Sequence, residues 1–471
     1  MRVLWTWTAA AALVVLAGCV EDLPPLGHIV LFIDTDALLP SPPGAAVDPE
    51  KPAALFERVR VELFAPGAVD ACDRCVREFD LDEAVVRAGA SLTVVAADGA
   101  GPAPRARLRL FRGAPLGPDP APESTIELVL QLPEIPAEGG VAVTAFLPTD
   151  AVGVPIGTLE APAPATRGWA GSGHAGDWKP GLRVPCLGEA RGGAICIPGG
   201  AYWMGNRRTV GLPGQWAADI ERLVVLSPFW MDSAEVTVAQ LRASGITRVI
   251  PWTGKYGSAA VDISDYCTFT STPHELHDRL PVNCVWRDAA AAYCATQGAT
   301  LPTEAQLEYA AGDLGSRLHP WGADEPSCED AVWGRTNNVV PSAPGAVGPC
   351  LAPDAIAMPL PLFDAQGTLR PGRDRVELEG GTVFDLAGNV TEWTSDLFNE
   401  PLEPCWNRAG SQVLVDPTCT TPGEEGESYV TRGGFWWGPS YLTRAAVRFA
   451  QADGAPGIQT GFRCVRPADA R

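Results

Sequence analysis

Leu386-Ala-Gly-Asn-Val-Thr-Glu-Trp393 is the segment on which the reading of the fold turns. It lies in a stretch, from about Cys186 to the C-terminus, that holds most of the tryptophans and many glycine turns. Only two parts of that stretch have good helical character. The first is 286–296, with an apolar seam at Ala290, Tyr293 and Cys294. The second begins at Thr303, where Thr303-Glu-Ala-Gln306 spells a capping box: hydroxyl and amide side chains satisfy backbone N–H groups that a helix start leaves without partners. So few helices over such a length predict a domain of loops and short strands, which disulfides or bound metal must staple.

Other segments stand in a fixed order around the first. Before it come Ile197-Pro-Gly-Gly-Ala-Tyr-Trp-Met-Gly205, Phe229-Trp-Met-Asp-Ser-Ala-Glu-Val-Thr237, Leu280-Pro-Val-Asn-Cys-Val-Trp-Arg-Asp-Ala289, Leu301-Pro-Thr-Glu-Ala-Gln-Leu-Glu-Tyr309 and Pro320-Trp-Gly322. After it come Arg432-Gly-Gly-Phe435 and Gly461-Phe-Arg-Cys464. In register, they resemble the formylglycine-generating enzyme (sulfatase-modifying factor) family over residues 186–471. The resemblance implies a C-type-lectin-like α+β fold rich in loops.

The family's catalytic members oxidise a substrate cysteine with copper(I) held by two thiolates, soft ligands that suit this ion. The pair stands just after the Arg-Gly-Gly segment. Here that stretch reads Arg432-Gly-Gly-Phe-Trp-Trp-Gly-Pro-Ser-Tyr-Leu-Thr443, with Gly438 at the first cysteine's place and no cysteine between Ser440 and Thr443 for the second. No catalytic residue is therefore carried over and copper is not expected. The implied function is a non-catalytic binding or scaffold module for an unidentified protein or small-molecule ligand. The alternative is an oxidoreductase of the family acting on a cysteine or small molecule through a different metal arrangement. Phe435, Trp436, Trp437, Tyr441, Arg444 and Arg448 fall where the family builds its active-site groove, as a repurposed groove or as core packing with solvated arginines.

Two structural sites follow from the resemblance. Cys294 and Cys464 match a family disulfide joining the first helix to the last strand. The family's calcium site maps onto the carboxylates of Asp385 and Glu392 and the carbonyls of Gly388 and Val390, a hard oxygen shell; otherwise Glu392 simply hydrogen-bonds its own loop. Histidine offers no richer metal set. His274 and His277 are close in sequence but lack a third ligand, and Ser, Thr and Pro around them suggest a surface loop.

Residues 28–160 have another texture. Short apolar or alternating runs at 28–34, 59–64, 91–96, 105–111, 125–132 and 140–146, separated by Pro, Gly and Asp clusters, predict an all-β, sandwich-like domain. Residues 161–185, rich in Ala, Pro, Gly and Ser, read as a linker. Gly171-Ser-Gly173-His-Ala-Gly176 in it matches G-x-G-x-x-G in letters only, since no strand precedes it and no helix follows.

At the start, Arg2 is followed by an apolar run, 4–17, of the length of a signal-peptide core and too short to span a bilayer. Leu16-Ala17-Gly18-Cys19 resembles the lipobox of bacterial lipoproteins. That implies a signal peptide at 1–18, acylation of Cys19, a tether at 19–27, and a place in the cell envelope, anchored to the inner or outer membrane and facing the periplasm or the exterior. The net charge of −21 repels nucleic acid and argues against it as a partner. Of the 13 cysteines, twelve remain after Cys19, an even number that suits a disulfide framework in an exported protein. Neighbours in sequence would pair Cys72 with Cys75, Cys186 with Cys196, Cys267 with Cys284, Cys328 with Cys350 and Cys405 with Cys419, although sequence alone does not determine connectivity and free thiols are the alternative.

Overall fold

The structure, a computed structural model, describes residues 26–468 apart from 47, 49–50, 97–99, 114–119, 191, 207–219, 255–262, 337–349, 352–356, 407–411, 425 and 453. Signal sequence and Cys19 lie outside the described residues. The chain forms two compact units, which part between Leu182 and Arg183, with the short segment Ala409–Val413 grouped with the first.

In the first unit every run expected to be extended is a strand. One sheet has the order Ser91–Val95, His28–Thr35, Gly140–Leu147, Thr166–Arg167, and the other Val76–Asp80, Arg58–Phe64, Arg105–Phe111, Thr125–Gln131, Ala163–Pro164. Period-two alternation sets the faces. Val59, Val61 and Leu63, with Ala106, Leu108 and Leu110 across the ladder, are all buried on one side of the larger sheet. Not every ladder is antiparallel, since His28–Thr35 and Gly140–Leu147 run parallel in full register. One departure from all-β is the short helix Glu83–Arg87, capped by Asp82, whose side chain accepts from the Val85 amide.

Residues 161–182 are not a free linker. They supply the strands Ala163–Pro164 and Thr166–Arg167, and Trp178 is buried, donating through Nε1 to Asp150 Oδ1 at 2.8 Å. Small and turn residues hid this because such short strands carry no periodic signal; the buried indole is what ties the segment down.

The second unit is α+β and dominated by loops. Four strands, in the order Arg448–Ala452, Ser428–Arg432, Thr391–Leu397, Thr460–Gly461, form its largest sheet. A smaller sheet pairs Ala194–Ile197 with Phe229–Asp232 and Val465–Pro467. Both expected helices are present, as Arg287–Thr296 and Glu304–Ala311, and the second starts with the expected capping box: the Gln306 amide donates to Thr303 Oγ1 and the Thr303 amide to Gln306 Oε1. A third helix, Val238–Ser244, has its own capping box, Thr237 with Gln240, and ends on Gly245 in the left-handed region. Seven residues are too short for a helical period to show in the sequence, so Arg287–Thr296 is the unit's second helix.

Leu386–Trp393 turns into the central strand Thr391–Leu397 and is held from several sides. Asn389 adopts φ +67° and uses its side chain on backbone and carboxylate: Oδ1 accepts from the Leu360 amide at 2.8 Å, and Nδ2 donates to Glu235 Oε2 at 2.7 Å. A Cβ on Gly388 would stand 2.8 Å from the carbonyl oxygen of Val332, so the close approach of two backbones requires glycine there.

Candidate functional site

The strand Ser428–Arg432 leads into the segment 433–443, in which the resemblance looks for copper ligands. Trp436 is fully buried; its amide donates to the Asn389 carbonyl at 2.8 Å and its indole to the Ile458 carbonyl at 3.2 Å. Phe435 packs with Leu442 and Val447, and partly buried Trp437, Tyr441 and Phe449 close around it. A Cβ on Gly438 would lie 2.8 Å from Phe435 Cε2 and 3.1 Å from Leu442 Cδ1. A side chain at position 438 would thus meet the Phe435 ring; Phe435 and Trp436 are core, and Trp437 and Tyr441 are half-buried. Gly438→Ala should accordingly destabilise by about 1–3 kcal/mol, as overpacking does; chemical denaturation measures it, and an unchanged midpoint would show that the ring moves aside freely.

All twelve cysteines from Cys72 to Cys464 are in disulfides, paired as neighbours in sequence would suggest, with Cys294–Cys464 as the long-range bond. Cys72–Cys75 is therefore a local bridge, neither half of a zinc site nor a free dithiol.

Arg448 is not a solvated arginine. It is 3 % exposed, and with Arg432 it clamps Glu304. Arg448 Nε and Nη2 donate to Glu304 Oε1 and Oε2 at 2.6 and 2.8 Å, and Arg432 Nη2 lies 2.8 Å from Glu304 Oε1 and 2.6 Å from Glu308 Oε2. Asp396 stands beside them and accepts from the Glu304 amide at 2.8 Å and the Cys419 amide at 2.7 Å. Burial, and then the Glu304 charge, push the Asp396 carboxyl up to about 7. Burial would raise Glu304 too, but Arg448 and Arg432 outweigh it and hold that carboxyl below its usual range. Sequence reading missed this network. The one available signal was Glu304 and Glu308 one turn apart on a helix whose other residues, Gln306 aside, are small, apolar or aromatic.

The residues expected to hold calcium come together on one buried loop, with other partners. Arg463 donates to both oxygens of Glu392, from Nε at 2.9 and 2.7 Å and from Nη2 at 2.6 Å. Arg370 pairs with Asp385 Oδ1, while Asp385 Oδ2 is buried with no hydrogen bond. Two more buried carboxylates hold the loop's amides. Glu235 Oε1 accepts from Val390 at 3.1 Å, and Asp374 Oδ1 accepts from Leu386 and Ala387 at 3.0 and 2.9 Å. Burial, and then Asp385, raise Asp374 to about 7. Among the described residues no group of three or more His, Cys, Asp or Glu is arranged to hold a metal ion. With the glutamate wholly engaged by a guanidinium and the aspartate half engaged, the donor set as built does not fit the ion.

His277 is buried against Trp252, with Nδ1 2.6 Å from the Thr268 carbonyl oxygen; His274 lies edge-on to it and is exposed. Among the described residues, two larger cavities open in this unit. One of about 360 Å³ is lined by Asp330, Arg370, Asp374 and Asp385, and one of about 420 Å³ by Asp232, Glu235, Arg279, Arg466 and Phe363.

Residues 188–468 match the sulfatase-modifying factor enzyme 1-like domain. The formylglycine-generating enzyme of Streptomyces coelicolor is 29% identical over 317 residues, 59% of this chain and 90% of that protein. A Mus musculus protein named inactive C-alpha-formylglycine-generating enzyme 2 is 25% identical over 194 residues, 40% of this chain and 49% of that protein. Among solved structures, PvdO from Pseudomonas aeruginosa is similar at a TM-score of 0.38 and 20% identity, over 58% of this chain and 94% of that one. Since the domain match takes in more than half of the chain, the chain belongs to the formylglycine-generating enzyme, or sulfatase-modifying factor, family.

Proposed function

We propose that this chain is an exported, lipid-anchored protein whose family domain has become a non-catalytic binding or scaffold module. The observation that carries the reading is Gly438, in the place of the first copper thiolate, with the Phe435 ring 2.8 Å from where a side chain would begin. The disulfides support it, because every cysteine from Cys72 to Cys464 is bonded to another and has no thiolate to offer a soft metal. One relative, from Mus musculus, is itself named as inactive. The module's ligand is a protein or small molecule, and the membrane is its partner through acylated Cys19.

Anaerobic titration of the whole, unreduced protein with copper(I) tests the chemistry. No stoichiometric binding and no thiol reactive towards a disulfide reagent are expected after denaturation. Tight binding of one equivalent would favour the oxidoreductase reading instead. For the anchor, Cys19→Ala should release the protein from the membrane fraction and abolish the lipid mass on the N-terminal peptide; a soluble wild type would refute acylation.

A further inference from the structure

We infer that two of the chain's own guanidiniums, those of Arg463 and Arg370, stand in for the calcium ion that the family resemblance places on the loop 385–392, so that this domain keeps its loop without the ion. Arg463 is fully buried and behaves as a fixed internal cation. Beyond its three contacts with Glu392, it reaches the Phe384 carbonyl at 2.8 Å and the Asp385 carbonyl at 3.1 Å through Nη2, and the Asp232 carbonyl at 3.3 Å through Nη1. One planar fork thus ties a carboxylate and three backbone carbonyls together, as a coordinating ion would. Arg370 does the same on the other side. It pairs with Asp385 and donates through Nη1 to the carbonyls of Leu360 and Pro361 at 3.1 and 3.2 Å.

Each of the two carboxylates assigned to calcium therefore has a guanidinium of its own. At Glu392 an entering divalent cation would have to take lone pairs already bonded, at Asp385 only Oδ2 is without a hydrogen bond, and at both it would stand against a guanidinium's positive charge. The loop's amides, for their part, are held by Glu235 and Asp374 at Val390, Leu386 and Ala387. The work of ordering the loop is thereby divided among side chains of the protein.

Melting of the full chain in calcium and in chelator, with terbium as a luminescent probe excited through tryptophan, tests the substitution. The wild type should melt at the same temperature in both and give no terbium signal. Arg370→Gln, which strips the guanidinium from Asp385, should gain a calcium-dependent rise of several degrees and a saturable terbium signal. A wild type that loses melting temperature in chelator and recovers it with calcium alone would overturn the inference. A folded Arg370→Gln indifferent to calcium would overturn the role given to Arg370. Should that variant not fold, calorimetric titration of the wild type with calcium decides: saturable one-to-one heat overturns the inference, and its absence supports it.

Discussion

Replacing Cys294 and Cys464 together by alanine is expected to lower the unfolding free energy by about 5 kcal/mol, the chain-entropy value for a loop longer than a hundred residues. The bond spans 170 residues and joins the helix Arg287–Thr296 to the residue before the strand Val465–Pro467. In the unfolded chain it forbids a large set of conformations, and its removal restores them. Both half-cystines are fully buried in a cluster with Trp393, Phe462 and Leu301, so the loss of sulfur packing adds to the entropic effect. An effect of that size is a large part of a domain's usual margin. Denaturant unfolding of the double variant measures it, with Cys72→Ala/Cys75→Ala as the control. That bridge closes only 3 residues and should matter far less. Equal losses in the two variants would mean that the long bond contributes no loop-closure term.

The second large effect is expected at Glu304. Glu304→Ala should destabilise by about 3–5 kcal/mol, because it leaves the guanidiniums of Arg432 and Arg448 buried with their charge uncompensated. Arg432 keeps Glu308 and Arg448 keeps the Asn399 carbonyl at 2.7 Å, which limits the loss and argues against complete unfolding. Glu304→Gln keeps the shape and removes only the charge. It should separate the electrostatic part from the packing part in the same denaturation experiment.

The same cluster makes stability depend on pH in two opposite senses. Glu304 is held below its ordinary range when folded, so its contribution is present above about pH 4.5 and is lost as pH falls through the folded value. Asp396 is raised to about 7 from 3.8, so its contribution is fully present below about pH 4 and is lost as pH rises through about 7. Melting temperature should therefore fall between pH 5 and 8, and Asp396→Asn should reduce that slope while leaving the acid limb in place. A slope unchanged in Asp396→Asn would assign the alkaline loss to other buried carboxylates that burial raises, among them Glu235, Glu308, Asp374 and Glu392.

Much of this molecule could be read from its residues alone, for physical reasons. Strands of the first unit announced themselves because apolar and charged residues alternate, and period two survives in the letters from Val59 to Leu63 and from Ala106 to Leu110. The capping box at Thr303 was legible because its donor and acceptor lie within one turn. The lack of cysteine from Arg432 to Thr443 was legible because it is a property of residue type alone. Three features were not legible, and all depend on contacts far apart in sequence. Trp178 is tied to Asp150, Arg448 reaches Glu304 across 144 residues, and Arg463 reaches Glu392 across 71. A charged side chain announces its type but not its partner, so neither the pairing of Arg448 with Glu304 nor that of Glu392 with Arg463 could be read.

By itself, then, the sequence determined the family, the sandwich-like first unit, the twelve cysteines from Cys72 to Cys464 and the lack of any cysteine from Arg432 to Thr443, all properties of residue type, order and short-range spacing. Tertiary structure alone decided that the Phe435 ring packs against Gly438, that residues 161–182 belong to the first unit, and that guanidiniums pair with the carboxylates of Asp385 and Glu392. Burial is what separates the two sets. Once water is excluded, each charge must find a counter-charge or a hydrogen bond wherever the fold brings one near, and nearness in the fold is not written in the order of the chain.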